Sequence, residues 1–292
     1  MTYSERFRVK PRSRVVLREV PTSARGDLKK SEAPAVLAQG VARLAATQDL
    51  LFAQGTWALL IVLQAMDAAG KDGTIKHVMS GVNPRGCRIV NFVAPTKEEI
   101  DHDYLWRTVK ALPARGHIGI HNRSHYEEVI VTRVHPQILT RQKLPEATRG
   151  PDLIPRRLRE IRRFEKYLVD NGTVILKFFL HISKREQWRR LRERMEDPEK
   201  YWKLQPGDIR ERLHWDKYMA AYQDVFRYTS TAWAPWHIIP ADDKWFARVA
   251  VGEIIGETLS GLNLQYPTVS DSARAEWDKA REELRQSLGG SD

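Results

Sequence analysis

The chain has 292 residues, with 48 Lys+Arg against 37 Asp+Glu for a formal net charge of +11, 42% hydrophobic residues and one cysteine. That length supports one large domain or two small ones around a buried core, and the lone Cys87 excludes an intramolecular disulfide framework. No apolar run approaches the roughly 18 residues of a membrane span, and Met1 to Lys10 lacks the apolar centre of a secretory signal. The expectation is therefore a cytoplasmic protein with no membrane partner, whose positive balance suits a polyanion.

Residues 1–34 mix Arg, Lys, Ser and Pro with little periodicity and read as an irregular arm. From Ala35 to Ala53, Leu37, Val41, Leu44 and Leu51 fall near helical spacing, and Gln54-Gly55 closes the helix. Trp57 to Leu63 is short, apolar throughout and β-branched, as a strand buried on both faces must be. Similar runs recur at Cys87 to Val93, His117 to Asn122, Thr173 to Ile182 and Trp236 to Pro240. Helical patterns lie between them at 72–80, 96–112, 124–134, 153–170, 184–196, 208–230 and 243–262. This alternation requires parallel strands joined by crossover helices on both faces, an α/β fold with a five-stranded parallel sheet. Pro136 to Pro155, with four prolines, reads as a surface loop. The charged stretch 184–230, interrupted at Asp197-Pro198 and Gln205-Pro206-Gly207, reads as a helical lid.

The first strand runs into Gln64-Ala65-Met66-Asp67-Ala68-Ala69-Gly70-Lys71-Asp72-Gly73-Thr74, and a helix follows. A strand, a small-residue loop, Gly-Lys and a helix together form a phosphate cradle, in which Ala68, Ala69, Gly70, Asp72, Gly73 and Thr74 offer backbone N–H groups and Lys71 a point charge. The match to a strict Walker A loop is incomplete, because Ala65 replaces its first glycine and Asp72 stands where a magnesium-binding hydroxyl belongs. Asp67, a hard oxygen ligand inside the loop, is the natural substitute for holding the metal. Asn122-Arg123-Ser124-His125-Tyr126-Glu127-Glu128 follows the third strand and so shares the carboxyl edge of the sheet with this loop. Arg123 suits a transferring phosphoryl group, and Glu127 or Glu128 suits a metal or an acceptor. Acids in a helix first turn also simply favour the macrodipole, which is the expected part of Glu128. His121 reads as a satisfied core histidine.

Several collinear blocks, Ala65 to Gly86, Ile118 to Pro136, Gly172 to Gln187, Asp197 to Lys203 and Ala234 to Val249, resemble the polyphosphate kinase 2 family. The resemblance implies a P-loop kinase-like fold with a helical lid over residues 35–266, leaving 267–292 as a C-terminal tail. It also implies phosphoryl transfer between inorganic polyphosphate and AMP, ADP or ATP, with magnesium, or manganese in its place. Asp67 and Lys71 match the family's Walker A pair, and Asn122 and Arg123 its Walker B position, where many relatives carry Asp at 122. The Glu127-Glu128 pair resembles the branch that accepts both AMP and ADP. A homo-oligomer, dimer or tetramer, is implied as well.

Lys76, His77 and Arg85 are expected to line a groove for polyphosphate, and the lid cations, Arg190, Arg194 and Lys203 among them, to close over the phosphates. About half of the lid arginines are expected to pair instead with Glu186, Glu193, Glu196 and Glu199 at helical spacing. Two other readings stand beside this one, an ATP-dependent nucleotide kinase and a basic nucleic-acid-binding protein with a vestigial P-loop. The arginines at 157, 159, 162 and 163 would serve the second, but no helix-turn-helix, zinc-knuckle or RRM pattern accompanies them, so nucleic acid is not expected as a partner.

Overall fold

The computed structural model describes residues 1–26, 28–203 and 206–287. In chain order the elements are α1 (Tyr3–Phe7), α2 (Ala33–Gln54), β1 (Ala58–Ala65), α3 (Lys71–Val78), β2 (Cys87–Asn91), α4 (Lys97–Ile100), α5 (Trp106–Lys110), β3 (Ile118–Asn122), α6 (Glu127–Val134), α7 (Leu153–Asp170), β4 (Thr173–His181), α8 (Lys184–Glu196), α9 (Pro206–Arg212), α10 (Trp215–Thr229), β5 (Trp236–Pro240), α11 (Lys244–Ser260) and α12 (Asp271–Ser287). The strands form one sheet in the order β2-β3-β1-β4-β5, and every pair is parallel.

All eight positions of the central β1 are buried, which explains its unbroken apolar run, since helices cover both faces. Helices α2, α3 and α11 pack together on one side, and α6, α7 and α10 on the other. The edge strand β2 differs, with Arg88, Ile89 and Asn91 exposed. Its Cys87 thiol is pushed up to about 11 by burial and is therefore a poor nucleophile at neutral pH.

Three expectations change in the structure. The helix expected over 96–112 is two short helices, because the capping box of Thr96 and Glu99 starts a single turn and the chain breaks at Asp101 to Asp103 before α5. The 208–230 stretch is likewise two helices, and α10 is not lid but core, burying Trp215, Tyr218, Ala221, Tyr222, Val225 and Phe226. The tail contains the exposed helix α12; residues 288–292 of it, like Leu204 and Gln205 in the lid, lie outside the described residues.

The N-terminal arm is irregular for much of its length but firmly attached. Arg8 forms an antiparallel bridge with His237, Val9 N–H donates to Trp236 O at 2.8 Å, and Glu257 accepts from the N–H groups of Tyr3 and Ser4. A second polar tie crosses the core, where the fully buried Lys177 of β4 donates to Glu165 of α7 (2.5 Å) and to the carbonyl of Thr229 (2.8 Å), while Tyr126 OH donates to Glu165 (2.6 Å). A buried ammonium needs such partners, and here they join β4 to α6, α7 and α10.

His121, His181 and His237 are buried, and desolvation holds each down to about 4. His121 Nε2 meets Ala111 O at 3.1 Å and its ring packs on Phe92, so it is a core histidine as expected, but only half satisfied, since its Nδ1 is buried without a partner. Unfolded histidine titrates near 6.5, so between about 4 and 6.5 the unfolded chain binds more protons and stability rises with pH. This stability is complete above pH 6.5 and is lost as pH falls towards 4, on the order of 3 kcal/mol per histidine at the limit. Denaturant midpoints measured from pH 7 to 4.5 should fall steadily, and His121→Asn should flatten the fall; a midpoint constant over that range would contradict the assignment.

Candidate active site

Because all strands are parallel, the loops after β1 and β3 emerge at one edge, with Leu63 and Asn122 in register. Two non-glycine residues there hold left-handed backbone, Ala68 (φ 61°) in the loop after β1 and Arg123 (φ 61°) after β3, each at a cost of about 1 kcal/mol or more. Gly70 (φ 108°) caps α3, whose first turn begins at Lys71. The loop thereby ends at a helix N-terminus, the arrangement that receives phosphate, but the Ala69 and Thr74 N–H groups expected to face the anion donate instead to Met66 O (3.2 Å) and Gly70 O (2.9 Å).

Four charged side chains meet at this edge. Arg123 Nη2 donates to Asp67 Oδ1 at 2.8 Å, and Lys71 Nζ donates to Ala65 O at 3.3 Å. Burial, then the neighbouring Arg123, lower the Lys71 pKa, against the pull of Asp67, Glu127 and Asp72. Burial raises the Glu127 pKa despite Arg123 and Lys71 beside it. Burial disfavours the Arg123 charge, but Glu127 and Asp67 outweigh it and raise its pKa. Arg123 and Lys71 thus face Asp67 and Glu127, with Asp72 a further acid acting on Lys71 and Asp208 on Arg123.

Asn122 is bound differently from a Walker B aspartate. Its Nδ2 donates to Asp72 Oδ1 (2.7 Å) and to Asn91 Oδ1 (2.8 Å), while its Oδ1 is buried without a partner. Asp72, in place of the P-loop hydroxyl, is engaged in holding Asn122. Among the described residues no three acidic, histidine or cysteine side chains cluster as a metal cage. A magnesium site needs only one or two carboxylates besides waters and substrate phosphates, so Asp67 together with the orphaned Asn122 Oδ1 provides oxygen donors that fit.

The remaining expected residues divide. Gly73 lies beside Arg248 of α11, Thr74 is on the buried face of α3, and Ala68 and Ala69 use their carbonyls for support. Lys76 is exposed on α3, and His77 Nδ1 meets Gly73 O at 2.7 Å. Arg85 immediately precedes β2, so it lies at the amino edge of the sheet and is not brought to the phosphate loop.

The lid cations also have other partners. Arg190 is buried, and its guanidinium donates to the carbonyls of Ala68 (3.1 Å), Ala69 (2.7 Å), Ala241 (2.7 Å) and Asp242 (2.9 Å), so it clamps the loop from behind instead of reaching over it. Arg194 pairs with Asp208 at 3.3 Å and donates to Lys203 O, and Lys203 stands over Trp202. Arg189 pairs with Glu186 and Glu193, and Arg192 with Glu196, as helical spacing anticipates.

A cavity of about 510 Å³ opens from Asp67, Arg123 and Glu127 and is lined by Phe92, Pro95, Ile138, Tyr218 and Tyr222. Sequence reading missed these walls, because they come from loops and from the helix taken as lid. It also missed Gln187, which donates to Asp67 O (3.1 Å) and accepts from Arg212 of α9 (2.7 Å), and the cations Lys244 and Arg248 of α11, whose pKa values burial and Arg190 depress. Gln187 and Lys244 both lie inside the blocks that carry the family resemblance, which was the available signal.

A parallel sheet with a strained phosphate loop, a paired Asp and Arg, and an adjoining cavity defines a P-loop phosphotransferase. The family model for polyphosphate kinase 2 matches residues 27–267, and the chain belongs to that family. It is 44% identical to an ADP-polyphosphate phosphotransferase of Rhodopseudomonas palustris over 283 residues, which cover 96% of this chain and 98% of that one. It is 47% identical to an AMP/ADP-polyphosphate phosphotransferase of Meiothermus ruber over 268 residues, 90% and 95% of the two chains. The crystal structure of polyphosphate kinase 2 from Arthrobacter aurescens TC1 superposes with a TM-score of 0.86 at 41% identity, covering 97% of each chain. The protein is an enzyme that transfers phosphoryl groups between polyphosphate and nucleotides.

Lys71→Ala should lower kcat by about 10²–10³ with an unchanged melting temperature, since the amine faces the loop and not the core. Full activity in the folded variant would remove Lys71 from the site. Glu128 is not the helix-surface residue expected. Its carboxylate pairs with the buried Arg157 at 3.2 Å and accepts from Gln142. Glu128→Ala should therefore destabilise the fold by about 3 kcal/mol by stranding that guanidinium, and an unaltered denaturation midpoint would contradict this.

Proposed function

We propose that this enzyme uses inorganic polyphosphate to phosphorylate both AMP and ADP, with magnesium, or manganese in its place, in the cytoplasm and as a homo-oligomer. The observation that carries the reading is that the charged quartet of Asp67, Lys71, Arg123 and Glu127 separates two unlike surfaces. On one side lies the cavity with apolar and aromatic walls, suited to a nucleoside; on the other lie Lys244 and Arg248, neither ion-paired among the described residues, suited to a polyanion. The names of the Rhodopseudomonas and Meiothermus relatives support the acceptors.

Positioning and charge stabilisation suffice for this chemistry. The acceptor's terminal phosphate oxygen attacks the end phosphorus of polyphosphate, and the shortened chain leaves. Lys71 and the loop amides hold the transferring group, and Arg123, fixed by Asp67, meets the charge that spreads over its oxygens. Bound magnesium would neutralise further phosphate charge, with Asp67 as its protein ligand and Asn122 Oδ1 as a neutral second donor. Tyr218 and Tyr222 line the cavity and give it aromatic surface against which a nucleoside can pack.

Purified protein given magnesium, ADP and polyphosphate alone should make ATP; a requirement for a nucleoside triphosphate donor would favour an ordinary nucleotide kinase instead. AMP and ADP place their terminal phosphates at different depths from one transferring group, and Glu127, at the first position of α6 beside Arg123, is placed to hold the water or ion that bridges the shorter acceptor. Glu127→Ala should lower kcat/KM with AMP more than with ADP, by about tenfold. Equal losses with both acceptors would reduce Glu127 to general support of the site.

A further inference from the structure

A second concavity lies at the opposite edge of the sheet. Arg227 and Tyr228 end α10 and Thr231 to Trp233 directly precede β5, so they sit where the strands begin, whereas the phosphate loop follows the end of β1. The eight residues of β1 hold those edges about 23 Å apart. The N-terminal arm reaches the same edge, because it runs antiparallel to β5 from Arg8 onward. There Arg12, Arg162 and Arg227 line a cavity of about 540 Å³ together with Pro11, Tyr228 and Trp233.

The three guanidiniums have no acidic partner among the described residues, although cations flanking Arg162 on α7 do, Arg159 with Asp152 and Lys166 with Asp170. Aromatic faces support them instead: Arg162 lies 5.8 Å from the Trp233 ring centre and Arg227 5.5 Å from that of Tyr228. Arg12 holds φ at 60°, a left-handed position that favours glycine, in a turn closed by Ser13 N–H to Lys10 O. The free hydrogen-bonding capacity of the lining side chains is almost all donor. Ser230 and Thr231 spend their hydroxyls on the backbone at Val9 and Ala234, while Trp233 Nε1 is shielded from solvent and has no acceptor. A nucleoside would bring amino and hydroxyl donors that find among these side chains only the Tyr228 hydroxyl free to receive them. A ligand made of acceptors alone matches such a wall.

We propose that this cavity is a second polyphosphate site, an anchor for a distal stretch of the same long chain whose end lies at the catalytic edge. The proposal rests on polyphosphate being the substrate. Holding a remote stretch raises the local concentration of chain ends at the loop, and only a chain long enough to pass from one edge to the other gains by it.

The test uses the full chain with R12A/R162A/R227A and, as the charge-retaining control, R12K/R162K/R227K. Across donors from the shortest polyphosphate the parent uses to long-chain polyphosphate, the alanine variant should show KM raised about tenfold for the long donor only, with kcat unchanged and the lysine variant near the parent. An equal shift at every donor length, or none, would overturn the anchor. Binding is read separately in a Lys71→Ala background, by tryptophan fluorescence during titration with long-chain polyphosphate over a salt series. Removing the three arginines should make log affinity depend less steeply on log salt, since fewer counterions are displaced. An unchanged slope overturns the proposal, as does tripolyphosphate or ATP occupying the cavity as tightly as the long chain, which would mark a small-anion effector site. A parent that binds long polyphosphate through these arginines but makes no ATP from it would support the site and refute the functional reading alone.

Discussion

A loop that points its amides at a phosphate must point its carbonyls away, and something buried has to receive them. In this protein that partner is Arg190. Its guanidinium takes the carbonyls of Ala68 and Ala69 on one side and those of Ala241 and Asp242 on the other, so the loop after β1 and the turn after β5 are held by a single planar group. Glu186, one helical turn earlier, accepts from Arg190 Nε at 2.8 Å and balances the charge. The left-handed conformation of Ala68 persists because this fork over-determines it. Lysine could not replace it, having no planar fork with which to reach four carbonyls.

The lid is joined to the phosphate loop through the same helix. Gln187 follows Arg190's partner Glu186 by one residue and holds the Asp67 carbonyl, while its own oxygen accepts from Arg212 of α9. Glu211, the neighbour of Arg212, accepts from Tyr218 OH at 2.6 Å and lies 2.8 Å from His135 Nε2 at the end of α6. Movement of α9 therefore pulls on the loop on one side and on the cavity wall on the other. Asp208 adds an electrostatic link, since burial, and then Asp67, raise its pKa while Arg194 opposes them. Two carboxylates thus act on one another across this junction, a repulsion that a cationic or metal-bound substrate complex would relieve.

Regular elements were legible where a single periodicity governs them. The helices at Leu153–Asp170 and Lys184–Glu196 and the strand Trp236–Pro240 fall where their patterns place them, as does the phosphate loop, because its chemistry is local. The role of Arg190 was not legible, since nothing in its helical spacing distinguishes a cation facing a buried backbone from one facing solvent. Arg85 was misread for a related reason: proximity in sequence to Lys71 hides the fact that α3 carries the chain back across the sheet before β2 begins. Glu128 looked like a first-turn acid because its partner Arg157 is 29 residues away. The cavity walls came from three separate segments, and only the fold brings Phe92, Ile138 and Tyr222 together.

Asparagine at 122 follows from the same electrostatic accounting. Asp72 replaces the hydroxyl of the usual loop, and its carboxylate lies within 2.7 Å of residue 122, while the Asn91 oxygen lies at 2.8 Å. An amide satisfies both oxygens with the two hydrogens of one nitrogen. A carboxylate in that position would face one negative charge and one acceptor, with no proton to offer either, and would ionise only at the expense of its neighbour. With Asp72 in the loop, a donor at residue 122 meets its carboxylate directly, as the Asn122 amide does. The negative charge that a Walker B aspartate would place beneath the metal is moved to the first turn of α3, and the orphaned Asn122 Oδ1 remains as the neutral oxygen nearest the strand. Asp67 is then the acid inside the loop itself, and its charge is already shared with Arg123 before any phosphate arrives.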